Sequence, residues 1–263
     1  MAHTPRQRLD TSVPHPARVW DYWLGGTENF APDREVGDQI TAVCPELPII
    51  ARAERQFIGR TVTLLAGELG VDQFLDIGTG IPTEGNTHLV AQKVNPAARV
   101  VYVDNDPLVL VHARALLDST PQGATDYIDA DLRNPDPILQ AASDTLDFAR
   151  PIGLMLIGVL DFVVDDTLAI DAVNALVAGL APGSYLAIAS STPSEAMDKA
   201  ADVWHAGGGA PIVLRSPERL ARFFQGLELL DPGVVTLPEW RPDAATDYIG
   251  REVCQYGGVG RKP

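Results

Sequence analysis

The feature that most constrains the fold of this chain is an alternation of short apolar runs with amphipathic segments from residue 71 onward. The apolar runs have the length and composition of strands, and the segments between them have the apolar spacing of helices. Such alternation predicts a mostly parallel sheet with helices on both faces, which is an α/β fold. The most apolar run, Ile152 to Leu160, predicts a central strand buried on both sides.

The residues before position 71 predict a helical extension instead of strands. Their apolar spacing indicates a short helix from Pro16, a second helix from Pro32 and a longer one from Ile49 to Leu69. Gly25-Gly26 is expected to end the first of these helices. We therefore divide the chain into a loose tail at residues 1–13, a helical extension or lid at 14–70, and a ligand-binding domain at 71–263.

Composition excludes several classes of protein. The formal net charge of −15 argues against binding to nucleic-acid phosphates or to an acidic membrane surface. The N-terminus has no apolar signal core and no apolar run is long enough to span a bilayer, so the expected location is the cytoplasm. Cys44 and Cys254 form no CxxC pair, and no His, Cys and carboxylate cluster has metal-ligand spacing. We therefore expect no metal site.

The strongest motif is the segment Asp76-Ile77-Gly78-Thr79-Gly80, at the end of the first predicted strand. Glycines let a backbone turn tightly and approach a ligand closely, and a following helix would supply free N–H groups. Asp76 could orient this loop or meet a cationic ligand directly. The alternative is a plain tight turn, since a glycine pair alone is a weak signal and Thr83 departs from the dinucleotide fingerprint.

Two further acids follow the next two predicted strands. Asp104 could accept hydrogen bonds from a ribose diol, although it could also cap the helix that Pro107 opens. Asp131 could accept from an adenine amine beside the apolar Leu132, although it could also pair with Arg133. Acids at the carboxyl ends of three successive strands face the crevice where open α/β sheets bind ligands.

These residues, together with Gly158-Val159-Leu160 at the end of the fourth predicted strand, resemble the class I S-adenosylmethionine (SAM) dependent methyltransferases. Nearly the whole chain resembles, more narrowly, a bacterial SAM methyltransferase family that was long catalogued as a domain of unknown function. The resemblance implies a Rossmann-like sheet of seven strands with an N-terminal helical extension. It does not define the methyl acceptor. The matching stretches are Trp20 to Phe30, Ile81 to His88 and Pro182 to Leu186.

The resemblance also implies roles for particular residues. The methionine part of SAM would lie on the loop from Gly78 through Thr79 to Gly80. Asp104 would hold the ribose with Asn105 beside it, and Asp131 and Leu132 would flank the adenine. The N-terminal segment would fold over the cofactor through Tyr22 and Gly26, with backbone N–H groups near its carboxylate. The alternative for this segment is a helix that only packs on the sheet.

One departure from the family pattern concerns chemistry. Relatives tend to carry a histidine after the fourth strand, where this chain has Asp161. An aspartate can act as a base only if burial raises its pKa, so no catalytic residue is assigned. The expected function is methyl transfer from SAM to a small molecule. The alternatives are a SAM-sensing protein without transferase activity and an NAD-dependent enzyme on a similar sheet.

Overall fold

The computed structural model describes residues 10–82, 85–106, 108–109, 119–251 and 253–263. Most of the expected loose tail lies outside these residues. So does most of the helix predicted from Pro107 to Leu117.

The N-terminal part of the chain is helical, as expected, and the later helices alternate with strands. Pro16 and Pro32 each lie at the start of a helix, where the missing N–H group costs no internal hydrogen bond. A π-helical turn, Leu64–Glu68, extends the third helix. The α-helices that lie wholly within the described residues are α1 (Pro16–Trp23), α2 (Ala31–Val43), α3 (Leu47–Thr63), α4 (Thr87–Val94), α5 (Pro135–Ala142), α6 (Asp166–Gly179), α7 (Glu195–Ala206) and α8 (Pro217–Ala221).

The described strands form one sheet in the order β3-β2-β1-β4-β5-β8-β6, with the short β7 paired to β8. The first five strands run parallel, and β8 is antiparallel to β5. This confirms the Rossmann-like α/β fold, with eight described strands where seven were expected. The strands are β1 (Gln73–Ile77), β2 (Arg99–Asp104), β3 (Ala124–Asp129), β4 (Gly153–Ile157), β5 (Tyr185–Ser191), β6 (Glu228–Leu229), β7 (Val235–Thr236) and β8 (Gln255–Arg261).

Alternate side chains of the central strands enter two hydrophobic clusters, one on each face of the sheet. Phe74 of β1 and Met155 of β4 belong to the cluster that α1, α2, α3, α4 and α7 cover. Leu75 and Leu154 belong to the cluster that α5, α6 and α8 cover. The prediction of helices on both faces and of a fourth strand buried on both sides is therefore confirmed.

The fourth apolar run ends as a strand earlier than its composition suggests. Strand β4 stops at Ile157, and Gly158 takes the left-handed conformation with φ of +74°. A 3₁₀ turn, Val159–Phe162, follows it. Because glycine adopts this conformation without a Cβ clash, the chain can leave the sheet edge abruptly here.

Helix α7 was not predicted from the sequence. The Ser194 hydroxyl caps it by accepting a hydrogen bond from the Met197 N–H at 3.2 Å. Met197 and Trp204 are buried on its inner side. A capping serine before an amphipathic run was therefore present in the sequence as a signal for this helix.

Arg215 holds the turn that follows β4. Its side chain has no exposed surface, and it donates to the Leu160 carbonyl at 2.7 Å and to the Val163 carbonyl at 2.6 Å. Its Nε also donates to Asp166 at 3.0 Å. Arg219 contacts the same carboxylate from a side chain that is 42% exposed.

We predict that Arg215→Met lowers the free energy of unfolding by about 3 kcal/mol, because it leaves buried acceptors without a charged donor. Arg219→Met, at the exposed end of the same ion-pair group, should lower it by less than about 1 kcal/mol. Urea unfolding followed by circular dichroism measures both values. Equal losses in the two variants would contradict this assignment.

Candidate functional site

The candidate site lies where the strand order of the sheet reverses, between β1 and β4. The chain proceeds from β1 outward to β2 and β3, and then returns to place β4 on the other side of β1. The loops that leave β1 and β4 therefore diverge and leave a crevice at their carboxyl ends. Asp76 lies one residue before the end of β1, Asp104 is the last residue of β2, and Gly158 directly follows β4.

The glycine loop after β1 is shaped by contact with the turn after β4. Gly78 and Gly80 both have left-handed backbone conformations, with φ of +78° and +66°. A Cβ on Gly78 would lie 2.3 Å from the Cβ of Val159, which no side chain tolerates. The loop is therefore more than a plain turn, because glycine at position 78 allows two strand-end segments to touch.

The loop's own N–H groups are mostly paired within the protein. The Gly78 N–H donates to the Val103 carbonyl, and the Gly80 N–H donates to Asp104, both at 2.8 Å. Helix α4 begins only at Thr87, so the expectation of free helical N–H groups at this loop is wrong. Pro82 lacks an N–H group and Gly85 has φ of +80°, and neither suits a helix that starts at the loop.

Asp76 joins the end of β1 to the start of α4. Its side chain is 9% exposed, and its Oδ2 accepts a hydrogen bond from the Thr87 hydroxyl at 2.6 Å. Burial raises the pKa of Asp76 to about 6. Asp76 therefore contacts a hydroxyl of α4 and not the backbone N–H groups of the loop.

Asp104 organises the junction between β2 and the glycine loop. Its Oδ2 accepts from the Gly80 N–H at 2.8 Å, and its Oδ1 accepts from the N–H groups of Asn105 at 2.8 Å and Asp106 at 3.0 Å. A carboxylate offers about four acceptor positions, so about one remains for a ligand hydroxyl. Burial raises the pKa of Asp104. Asp104 therefore stabilises the glycine loop, and it also keeps an acceptor position for a ribose hydroxyl.

The structure places Asp131 and Leu132 directly after the end of β3, as predicted. Asp131 accepts hydrogen bonds from the backbone and the guanidinium of Arg133, and these bonds lower its pKa. Asn105 lies close enough to contribute to the lowered pKa of Asp131, so the predicted ribose and adenine positions are neighbours. Leu132 is only 5% exposed and packs with Ile138 under the loop.

The N-terminal segment packs over the glycine loop. The Cβ of Ala17 in α1 would lie 3.9 Å from a Cβ on Gly80. His15 Nδ1 lies 2.8 Å from Asp106 Oδ2, just beyond the end of β2. Ala17 and Phe30 also pack on a small apolar cluster formed by Ile81, Leu108 and Val109. These contacts place α1 across the carboxyl ends of β1 and β2.

Tyr22 and Gly26, predicted to reach the cofactor, make their described contacts within the N-terminal segment. The Tyr22 hydroxyl donates to Asp38 of α2 at 2.6 Å. The Gly26 N–H donates to the Asp21 carbonyl at 2.8 Å, and a Cβ on Gly26 would lie 2.0 Å from the Asp21 carboxylate. This N–H group is already paired, so the donor for a ligand carboxylate must come from elsewhere.

Asp161, where the family resemblance led us to expect a histidine, is buried and held by neutral donors. It accepts from the Ser190 hydroxyl and from the Ser191 N–H at the end of β5. Burial raises its pKa to about 6. These hydrogen bonds tie the turn after β4 to β5, which gives Asp161 a structural role.

Three residues that the sequence analysis did not single out lie at the same crevice. Glu54 of α3 is 6% exposed, and its Oε2 accepts from Gln255 Nε2 of β8 at 2.6 Å. The same Oε2 would lie 3.0 Å from a Cβ on Gly158. Arg55 follows Glu54, and its Nε is buried without a hydrogen-bond partner. The sequence feature that could have identified Glu54 is its position on the apolar stripe of a predicted helix, four residues after Ile50.

The comparison with protein families identifies the cofactor and the enzyme class of the chain. A family model described as S-adenosyl methyltransferase matches residues 2–263. The chain belongs to this family. Its cofactor is therefore SAM, and its enzyme class is methyltransferase.

Solved structures agree with this family membership. A DUF574 family protein from Streptomyces avermitilis is 44% identical, with 97% of this chain and 100% of that chain covered and a TM-score of 0.93. A candidate methyltransferase from Thermobifida fusca is 41% identical, with 99% of each chain covered and a TM-score of 0.88. The N-methyltransferase NodS from Bradyrhizobium japonicum, solved with S-adenosylhomocysteine, shares the fold at 17% identity, with 81% and 88% covered and a TM-score of 0.51. Among curated proteins, none matches this chain.

The residues at the crevice of this family member fit its cofactor. Asp104 keeps an acceptor position at the end of β2, while Arg55 Nε and Gln255 Oε1 are buried polar atoms without partners. The described part of the chain contains no group of three or more His, Cys, Asp or Glu side chains arranged to hold a metal ion. Within the same residues, no helix is both long and apolar enough to cross a membrane.

The buried carboxyl group of Glu54 makes the stability of the ligand-free protein depend on pH. Burial raises the pKa of Glu54 from its ordinary value of 4.5 to about 7. The folded state then binds this proton more tightly than the unfolded state does. The resulting stabilisation is complete below pH 4.5 and is lost as the pH rises toward 7.

We predict that Glu54→Gln removes much of this pH dependence. The free energy of unfolding of the unmodified protein should contain a component of about 3 kcal/mol that disappears between pH 4.5 and pH 7. Glu68→Gln, an exposed substitution just after the same helix, serves as the control and should keep it. Urea titrations across this range test the point, and parallel pH profiles for the unmodified protein and Glu54→Gln would contradict it.

Proposed function

We propose that this protein transfers a methyl group from SAM to a small-molecule nucleophile at the crevice between β1 and β4. The observation that carries the proposal is the junction at Asp104, where one carboxylate holds the glycine loop of β1 against the end of β2. This junction lies at the reversal point of a sheet whose family uses SAM. A SAM site there would place the ribose beside Asp104 and the adenine between Asp131 and Leu132.

The N-terminal segment that covers the crevice supports the proposal that the methyl acceptor is a small molecule. Helix α1 lies against Gly80, and Ala17 and Phe30 close over Ile81. Such a cover excludes water from the reacting atoms and leaves little room for a folded macromolecule. The net charge of −15 also disfavours a nucleic-acid acceptor.

The chain's residues would act mainly by alignment. When bound, SAM supplies a methyl group on a positively charged sulfur that needs no further activation. The glycine loop and Asp104 would fix the donor side, since Gly78 and Val159 are in contact. Holding two reactants in line can contribute about 7–11 kcal/mol toward the barrier, so a strong base is not required.

Asp161 fits a positioning role better than that of a base in this reaction. Its carboxylate accepts from Ser190 and Ser191, and these bonds hold the turn at the end of β4. Arg215 holds the same turn from the other side through the Leu160 carbonyl. Together these contacts would fix the wall of the acceptor side.

We predict that this protein transfers the label of methyl-tritiated SAM to the small-molecule fraction of a Streptomyces cell extract. Asp104→Ala should lower this transfer at least about tenfold, because it removes charge-assisted hydrogen bonds at the loop and at the ribose. Asp129→Ala is the matched control and should transfer normally, because Asp129 is the exposed last residue of β3 and pairs in register with Asp104.

Calorimetry with SAM, S-adenosylhomocysteine and NAD accompanies this assay. The proposal expects binding of both adenosyl compounds in the micromolar range, about −8 kcal/mol, and no binding of NAD. Binding without any label transfer would favour a sensor over an enzyme. Label in protein or nucleic acid would overturn the small-molecule acceptor.

A further inference from the structure

Glu54 and Arg55 are adjacent on α3 and carry opposite charges, but they do not form an ion pair with each other. Glu54 is 6% exposed and Arg55 is half-buried. Arg55 forms no ion pair with any residue that the structure describes, and its Nε is buried without an acceptor. A charge held near a protein interior without a hydrogen-bonding partner is unfavourable unless a ligand supplies one.

Gln255 adds an unpaired acceptor to the same place. It has no exposed surface, and its Nε2 donates to Glu54 Oε2 at 2.6 Å. Its Oε1, on the same amide group, is buried without a partner. The group thus offers a carboxylate and a carbonyl oxygen as acceptors, and a guanidinium as donor. That set complements a molecule carrying both an ammonium and a carboxylate, as an α-amino acid does.

The group, defined as Glu54, Arg55 and Gln255, lies over the ends of β1 and β4. Glu54 Oε2 would lie 3.0 Å from a Cβ on Gly158, the residue that follows β4. At the end of β1, burial raises the pKa of Asp76, and the positive charge of Arg55 partly opposes that rise. Arg55 is therefore positioned to act on both sides of the crevice.

The strand order predicts which part of SAM reaches this group. Adenine is assigned to the end of β3 and ribose to the end of β2, and β1 and β4 come next in the sheet. Neighbouring strands are about 4.8 Å apart, so a ligand laid across these ends progresses one strand at a time. The portion beyond the ribose is the chain that carries the sulfur and ends in an α-amino acid.

We propose that Glu54, Arg55 and Gln255 bind the α-amino-acid end of SAM. Arg55 binds its carboxylate, while Glu54 and the Gln255 carbonyl accept from its ammonium group. Arg55 thereby takes the role that the sequence suggested for the N–H of Gly26, which is paired with Asp21. This assignment rests on the proposed SAM site, and free α-amino acids share the same chemistry.

Calorimetry with three probes tests the assignment: S-adenosylhomocysteine, 5′-methylthioadenosine and L-methionine. Methylthioadenosine has the adenosine and the sulfur without the amino-acid end. Arg55→Met should weaken S-adenosylhomocysteine binding by about 10- to 100-fold and change methylthioadenosine binding less than about threefold. Glu54→Gln should weaken S-adenosylhomocysteine selectively, by about tenfold. Arg52→Met, an exposed arginine of the same helix, is the control and should change neither.

Each outcome of the calorimetry either supports or overturns the proposed binding of the α-amino-acid end of SAM. An equal loss for both adenosyl compounds in Arg55→Met, or no loss for either, overturns the subsite. If the unmodified protein binds L-methionine through Arg55 but no adenosyl compound, the amino-acid site stands and the proposed function fails. If it binds none of the three probes, both fail. Should Arg55→Met unfold, Arg55→Lys replaces it, because it keeps the charge but loses the planar fork of donors, and the same selective loss is expected.

Discussion

The hydrogen bonds accepted by the Asp104 carboxylate are the interaction on which the rest of the site depends. One side chain at the end of β2 receives N–H groups from Gly80 and from its own two successors, Asn105 and Asp106. It therefore sets the height of the glycine loop above the sheet edge. Gly78 then touches Val159 in the turn after β4, which Arg215 and Asp161 also hold in place. The crevice follows from these local constraints and from the reversal of strand order.

The electrostatics of the crevice follow from burial. Glu54, Asp76, Asp104 and Asp161 are each less than one-tenth exposed, and burial raises the pKa of all four. Their hydrogen-bond donors are mostly neutral hydroxyl, amide and backbone groups, which position a carboxylate without neutralising it. Positive charge from a ligand is therefore favourable here. SAM carries such charge at its sulfur and at its amino group, which agrees with the proposed site.

Much of the fold was predictable from the sequence because strand and helix periodicities are local properties. The glycine loop, the acids at or near the carboxyl ends of β1, β2 and β3, and the central position of the fourth strand could all be predicted from residue patterns. The end of the fourth strand at Ile157 could not be predicted, because Gly158 adopts its left-handed conformation only within the folded turn. The hydrogen bond from the Gly26 N–H to the Asp21 carbonyl could not be predicted either, since residue types do not show which backbone groups pair.

Glu54 and Gln255 show why part of the site could not be predicted. They are 201 positions apart in the chain, and their hydrogen bond depends on β8 lying beside β5. Sequence spacing can place an acid on the apolar stripe of α3, but it cannot name the partner that the sheet brings to it. Long-range contacts of this kind depend on topology, whereas the strand-end acids depend only on where each strand stops.

Hydrogen–deuterium exchange with and without S-adenosylhomocysteine tests the central claim most directly, because it reports where the ligand sits without requiring the acceptor. If the ligand occupies the crevice from β3 to β4 beneath α1, residues 76–81, 104–106 and 158–161 should exchange more slowly when it is bound, together with α1. Exchange unchanged in these segments despite saturating ligand, or protection confined to another part of the chain, would contradict the account.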